Sequence, residues 1–453
     1  MSPALPARLL GSDTEVECVD GADRRYVNLD YAASTPVLAE VWEAVEAFMP
    51  FYSSVHRGSG QKSQLSTAAF EDARGSVARF VGAREDDDVV FVRNTTEAIN
   101  VLAAALPAGT RVLSSPAEHH ANLLPWRRHD VRMLPFTATA EELYTACERA
   151  LERERIGLVA VTGASNVTGE VWPVAELADL AHRHGARLFV DAAQLAPHRA
   201  VDMAASGVDY LALSGHKLYA PFGAGALVGD MAGLGERPPL IEGGGAIKLV
   251  TFDDVIWADA PDRFEAGSPN VVGVVALGAA CEWLARTGMD AVAHHERALS
   301  RYLWQRLSAV PGLRMLTLWP TGSVDRVGVA TFDLEGYRHP LVAAVLSAEH
   351  AIGVRHGCFC AHPLITRLLG VPADEVARLS RELRHGARPP LPGAVRASLG
   401  LATTREDIDR LAGALTAIVT AGPRWAYEHV PEHDEYRPVR HAGARPRPAA
   451  VAA

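Results

Sequence analysis

Arg187-Leu188-Phe189-Val190-Asp191-Ala192-Ala193-Gln194 and, further on, Tyr210-Leu211-Ala212-Leu213-Ser214-Gly215-His216-Lys217 decide the reading of this chain. Each is a short apolar run of strand type that ends in polar residues. The chain holds 44 lysines and arginines, and only Lys62, Lys217 and Lys248 among them are lysines. A sequence that writes nearly every cation as arginine has kept lysine at 217, and the two are not equivalent. Arginine stays protonated, whereas a lysine amine can lose its proton and condense with an aldehyde. Ser-x-His-Lys alone would also fit a surface lysine after an ordinary strand. With a carboxylate ending the preceding strand and Gln194 beside it, the set meets the needs of pyridoxal 5'-phosphate (PLP). Those needs are an amine for the aldehyde, an acid facing the ring nitrogen, and a hydroxyl and an imidazole for the phosphate.

Outward from this pair, short apolar strands alternate with amphipathic helices from Asn28 onward, the pattern of a mostly parallel α/β sheet covered on both faces. The strand candidates are Val89–Val92, Arg111–Ser114, Val131–Leu134, Leu158–Thr162, Arg187–Asp191, Tyr210–Ser214 and Ala224–Val228. Apolar positions three and four apart, as at Val174, Leu177, Ala178 and Ala181, mark the helices between them. A helix over Asp290–Ser308 leads to a smaller α+β unit with strands Arg314–Leu318 and Val327–Phe332 and the helix Pro340–Glu349. Thr403-Thr404 caps a last helix, Arg405–Thr420. The expected division is an arm over 1–27, a large domain over 28–285, a small domain over 286–421 and a tail over 422–453. The tail, rich in Pro, Arg and His, reads as an extended arm or a disordered segment rather than a folded unit.

Composition narrows the function. A net charge of −10 argues against a general nucleic-acid binder. Metal-ligand spacings are missing, so no metal site is expected. Met1–Glu17 lacks the apolar core of a signal peptide, and the apolar run Val271–Cys281 is too short to span a bilayer. Five cysteines, an odd number, fit free thiols in a reducing compartment. The expectation is a cytoplasmic protein without nucleic-acid or membrane partners.

Asn94-Thr95-Thr96-Glu97 lies between a strand and a helical run, placing Thr95 and Thr96 at a helix N-terminus. Free N–H groups and the helix dipole there suit a phosphate, although an N-cap without a ligand has the same look. Glu118-His119-His120-Ala121-Asn122 follows the next strand, where an imidazole can stack on an aromatic cofactor.

These stretches fall in order with Leu29-Asp30-Tyr31-Ala32-Ala33, His56-Arg57-Gly58, Ser165-Asn166-Val167-Thr168-Gly169 and Phe264-Glu265-Ala266-Gly267-Ser268-Pro269-Asn270. Together they resemble the class V aminotransferase superfamily, and within it Suf-type cysteine desulfurases and selenocysteine lyases. The resemblance runs from about Asn28 to Gly422 and implies PLP fold type I, with a seven-stranded large domain and a smaller α+β domain. It implies that Lys217 holds PLP and later moves the Cα proton of an amino-acid substrate. Asp191 would face the ring nitrogen, Gln194 the ring oxygen, and His119 the ring plane. Thr95, Thr96, Ser214 and His216 would hold the phosphate, joined by Ser268 from the second subunit of a homodimer. Asn166 would lie beside the ring and the substrate carboxylate, which Arg396 would clamp with a two-pronged bond aided by Arg355.

Arg355-His356-Gly357-Cys358-Phe359-Cys360-Ala361-His362-Pro363 matches the loop that carries the persulfide-forming nucleophile in Suf-type enzymes, and Cys360 takes that position. Arg355, His356 and His362 around it would favour the thiolate, whereas Cys147 and Cys281 read as structural. Two features depart from the pattern. Cys358-Phe359 stands where Suf-type loops carry a histidine pair. The stretch from Cys360 to Arg396 is longer, with an extra helix at Asp374–Arg384 and the turn Arg388–Pro392, expected to cover part of the site entrance. The leading expectation is a PLP-dependent cysteine desulfurase that passes sulfur to an acceptor protein. A PLP-dependent C–S lyase acting on a larger sulfur compound, or an epimerase or aminotransferase like isopenicillin-N epimerase, stays open.

Overall fold

Short runs of four or five residues assemble the large sheet, and all are mostly buried except the edge run Asp130–Met133, which is polar at two positions and largely exposed. The computed structural model describes residues 5, 7–235 and 237–439. The strands are β1 (Asp88–Val92), β2 (Arg111–Ser114), β3 (Asp130–Met133), β4 (Leu158–Thr162), β5 (Arg187–Asp191), β6 (Tyr210–Ser214) and β7 (Gly225–Gly229). Their order is β1-β7-β6-β5-β4-β2-β3, with β7 antiparallel to both neighbours and the other pairs parallel. All seven lie within one residue of the expected positions. In such a sheet, ligands bind beyond the C-terminal strand ends, and Asp191 and Ser214 are the last residues of β5 and β6.

Helices α1 (Gln61–Phe80), α2 (Thr95–Ala105) and α3 (Val271–Thr287) cover this sheet. Gly278 of α3 lets it approach α1 closely, since a Cβ there would stand 2.7 Å from the Ala73 methyl. The apolar face of α3 is buried in the core. Among the described residues no single helix is long and apolar enough to cross a membrane.

The long helix α4 (Met289–Ser308) leads to the small sheet. Its strands β8 (Leu313–Leu316), β9 (Val329–Leu334), β10 (Arg355–Gly357) and β11 (Ala394–Ser398) run antiparallel in the order β8-β9-β11-β10. Helices α5 (His339–His350) and α7 (Arg405–Ala421) pack on it, with α6 (Ala373–Arg384) between them in sequence. Thr404 opens α7 with a reciprocal cap: its hydroxyl accepts from Asp407 N–H, and the Asp407 carboxylate accepts from Thr404 N–H. An ion-pair cluster, buried Arg199 with buried Glu296 and the more exposed Asp325, ties the two sheets' units together.

The structure bears on three expectations. The arm carries strands where it is described: Glu15–Glu17 pairs with Asp23–Arg25, and Val27–Asn28 pairs in parallel with Ile352–Gly353, so this part of the chain joins the small unit. The tail is not an extended arm where it is described. β12 (Tyr427–Val430) and β13 (Glu435–Pro438) form a hairpin. Glu349 of α5 holds it by accepting from Arg424 N–H, Trp425 N–H and the Tyr427 hydroxyl, and Arg338 pairs with Asp434. A polar composition hid this because the hairpin is fixed by hydrogen bonds rather than by an apolar face. Residues 440–453 lie outside the described residues. The extra helix α6 exists, but it rests through one buried side chain, Leu379, while Arg378 pairs with Glu375 and Glu382 on its own surface. None of residues 361–395 lines the cavity described next, so the segment forms no part of its wall.

Candidate active site

A cavity of about 240 Å³ opens at the C-terminal edge of the large sheet, where the small unit meets it. Twelve of the thirteen expected site residues line it: Lys217, Cys360, His119, Thr95, Thr96, Asn166, Asp191, Gln194, Ser214, His216, Arg355 and Arg396. Ser268 does not. It is exposed, at the edge of two neighbouring grooves.

At one end, the Asn94 side chain caps α2 by accepting from Glu97 N–H, leaving the first turn free to face the cavity. Thr95 is buried, and its N–H donates to the Ser214 hydroxyl at 2.8 Å, which fixes both hydroxyl-bearing residues. Ser34 and Thr35 hydroxyls donate to the His216 carbonyl and so set the turn that carries Lys217. Burial pushes the Lys217 ammonium down to about 8, with Asp191 pulling the other way. Asp191 is fully buried, its carboxyl raised by that burial, and Ala193 N–H is its one hydrogen-bond donor among the described residues. A buried carboxylate with so little compensation calls for a cationic partner.

His119 is driven down to about 3, first by burial and then by the charge of Lys217. It is therefore a neutral ring. Its Nδ1 accepts from Ala121 N–H at 3.0 Å, which leaves the proton on Nε2. Gln194 donates one amide N–H to the Ala32 carbonyl at 2.7 Å and keeps the rest of its amide for the cavity. Acid, amine, flat imidazole and a hydroxyl-rich helix N-terminus are the donor set PLP requires, in one cavity; these residues fit the cofactor.

The other end is cationic. Register sets Arg355 of β10 directly opposite Arg396 of β11. Like charges facing across strands repel. Asp30 relieves this by lying between them, 3.2 Å from Arg396 and 3.7 Å from Arg355. Arg396 is 3% exposed and donates to the Asn166 carbonyl at 2.9 Å, and its guanidinium lies over the Phe359 ring. Its Nε–H has no partner among the described residues.

Cys360 sits on the cavity wall in a strained turn. Ala361 N–H donates to the Cys358 carbonyl, and the two residues between, Phe359 and Cys360, both have positive φ, 53° and 54°. That is a turn normally built from Gly, Asn or Asp, and each such residue costs about 1–3 kcal/mol. Asn166 holds it by donating to the Phe359 carbonyl at 2.9 Å. The expected histidine support for a thiolate is not there. His356 packs against His339, His362 stacks on His120, and burial pushes both His356 and His362 down. Lys217 and Arg396 are close enough to feel the charge of the thiol, and Arg355 lines the same cavity. Cys147 and Cys281 are buried and their thiols pushed up, Cys147 to about 12, which agrees with a structural part.

Sequence reasoning assigned no part to Asp30, Phe359 or Glu118. Asp30 was visible in its motif; nothing local said which arginines it would meet. Glu118 is fully buried, accepts from Thr162 N–H and Asn122, and is pushed up to about 8 by burial.

Residues 27–411 match the family model described as aminotransferase class-V. A cysteine desulfurase of Dickeya dadantii (strain 3937) is 39% identical over 414 residues, 89% of this chain and 93% of that protein. Among solved structures, the Escherichia coli cysteine desulfurase CsdA in its S-sulfonic acid form is 32% identical, with a TM-score of 0.73 over 87% of this chain and 94% of that one. The apo cysteine desulfurase of Thermococcus onnurineus NA1 is 30% identical, with a TM-score of 0.75 and the same coverage.

Proposed function

The chain belongs to the class V aminotransferase family, and on that premise we propose that it is a PLP-dependent cysteine desulfurase. The observation that carries this is Cys360, a thiol on the wall of the cavity that also holds Lys217, Asp191 and Arg396. A lyase or epimerase needs the last three and has no use for the first.

PLP, when bound, supplies an aldehyde for the substrate amine and a ring that withdraws electrons from Cα. Asp191 supplies the buried negative charge that keeps the ring nitrogen protonated. Thr95, Thr96, Ser214 and His216 hold the phosphate. Ser268 joins them from a second copy of the chain, in keeping with its exposed place outside its own cavity. The neutral His119 ring would offer its face to the cofactor ring. Arg396 receives the carboxylate of L-cysteine between its free N–H groups, with Asn166 and Arg355 beside it. Lys217, an amine held close to neutrality, takes the Cα proton. The Cys360 thiolate then attacks the substrate sulfur. A sulfur–sulfur bond forms and the Cβ–S bond breaks; its electron pair stays on Cβ, which is protonated, Lys217 returns the proton to Cα, and alanine leaves. Cys360 is left as a persulfide, which a sulfur-acceptor protein or thiol collects. Free thiols of this kind belong in a reducing compartment, and we place the enzyme in the cytoplasm.

Incubating the holoenzyme with L-cysteine and measuring alanine and thiol-bound sulfur tests this. Wild type should yield both and Cys360→Ala neither. Pyruvate and ammonia produced equally by wild type and Cys360→Ala would replace this reading with a lyase.

A further inference from the structure

The strained turn that carries Cys360 is tied to a residue that the mechanism above does not use. His120 N–H donates to the Cys360 carbonyl at 2.7 Å. The ring of the same residue reaches past the turn: its Nε2 accepts from His362 N–H at 3.1 Å, the first residue of the helix His362–Leu368. The two rings stack 5.1 Å apart at 14°. Because a backbone N–H can only donate, Nε2 of His120 carries no proton in this arrangement. His120 thus grips the turn on both sides of the nucleophile, once through its backbone and once through its ring. Two successive residues with positive φ and a side chain do not stay so without outside contacts. Of the contacts that hold them, one is Asn166 and two run through His120.

We propose that His120 is a positioning residue for Cys360, its ring acting as the hydrogen-bond acceptor that clamps His362 and so holds the thiol on the cavity wall. The inference rests on the desulfurase reading, since positioning matters only if Cys360 attacks substrate. A displaced nucleophile loses rate steeply, an ångström being worth up to about a hundred-fold.

The test compares holoenzyme variants of His120. His120→Phe keeps a ring to stack on His362 and the backbone N–H but loses the acceptor; His120→Gln restores an acceptor at about the same reach. Alanine and thiol-bound sulfur from L-cysteine should fall about ten-fold or more in His120→Phe and recover to within about three-fold in His120→Gln, the scale of one well-placed hydrogen bond or more. The visible absorbance of bound cofactor, and its change on adding cysteine, should persist in both. Alkylation of Cys360 by iodoacetamide, followed by mass spectrometry, should stay within about two-fold of wild type or quicken, because a released thiol is misplaced, not disarmed. Should His120→Phe fail to fold, His120→Leu takes its place. Equal turnover in the acceptor-free variant overturns the proposal. So does a fall in alkylation that parallels turnover, or a His120→Gln enzyme as poor as His120→Phe with its cofactor spectrum intact. A wild type that makes no alanine from cysteine, or a Cys360→Ala enzyme that still does, overturns the desulfurase reading itself.

Discussion

Arg396→Lys keeps the positive charge of the carboxylate site and removes its fork. The guanidinium spends one N–H on the Asn166 carbonyl and one on Asp30, leaving its unpartnered Nε–H and one N–H at each terminal nitrogen for substrate. Two of these can meet the two carboxylate oxygens. An ammonium in the same place still answers Asp30 and offers one strong bond to substrate, and it gives up the stack on Phe359. A hydrogen bond to a charged group contributes about 1.5–3 kcal/mol. Losing one of the pair should therefore lower kcat/KM about thirty-fold, mostly through KM. Arg396→Leu loses both bonds and the charge, for about a thousand-fold. It also leaves the partly buried Asp30 with only Arg355, 3.7 Å away and largely exposed, so thermal stability should fall as well. Initial rates of alanine formation over a range of L-cysteine concentrations, with visible absorbance to report bound cofactor, measure both effects. A KM for Arg396→Lys within two-fold of wild type refutes the clamp.

Borohydride reduction of the holoenzyme should trap PLP on Lys217, and peptide mapping that finds it on Lys62 or Lys248 removes the assignment. Burial holds Lys217 at about 8 in the folded protein against an ordinary 10.5. The unfolded chain thus binds more protons between these values, and the stability of the cofactor-free protein should rise with pH across that window and be lost as pH falls back through 8. The slope is up to about 1.4 kcal/mol per pH unit; denaturant titrations should show it in wild type and not in Lys217→Met. Cys358→Ala should keep most alanine formation where Cys360→Ala loses it, because Cys358 does not line the cavity; equal loss in both would mean that both thiols act. If Ser268 completes a neighbour's phosphate site, sedimentation under assay conditions should show a dimer, and Ser268→Ala should weaken PLP retention; a fully active monomer ends that part of the reading.

The large sheet was legible because each strand carries its own signal, a short run with an apolar centre between polar breaks, independent of anything distant. The same locality made Asp191, Ser214, His216 and Lys217 legible, since each stands at or just beyond a strand end. Once the strands are placed, their side chains must gather along one edge. Family matches to class V aminotransferases and cysteine desulfurases then bear out the resemblance that the motifs carried. What the sequence could not reveal depends on contacts between residues far apart along it. Asp30 and Arg396 are separated by 366 positions, and only the antiparallel register of β10 and β11 shows that two arginines face each other and need a carboxylate between them. The grip of His120 on the Cys360 turn spans the two units in the same way. The tail hairpin owes its order to Glu349, not to its own composition. The segment after Cys360 was expected over the entrance because both its ends serve the site; its path between them was left to packing, and none of it lines the cavity. Local periodicity determined the elements and the linear motifs at their ends, while register and long-range hydrogen bonding, which no short window of sequence contains, decided how the charges of the site are balanced and its nucleophile held.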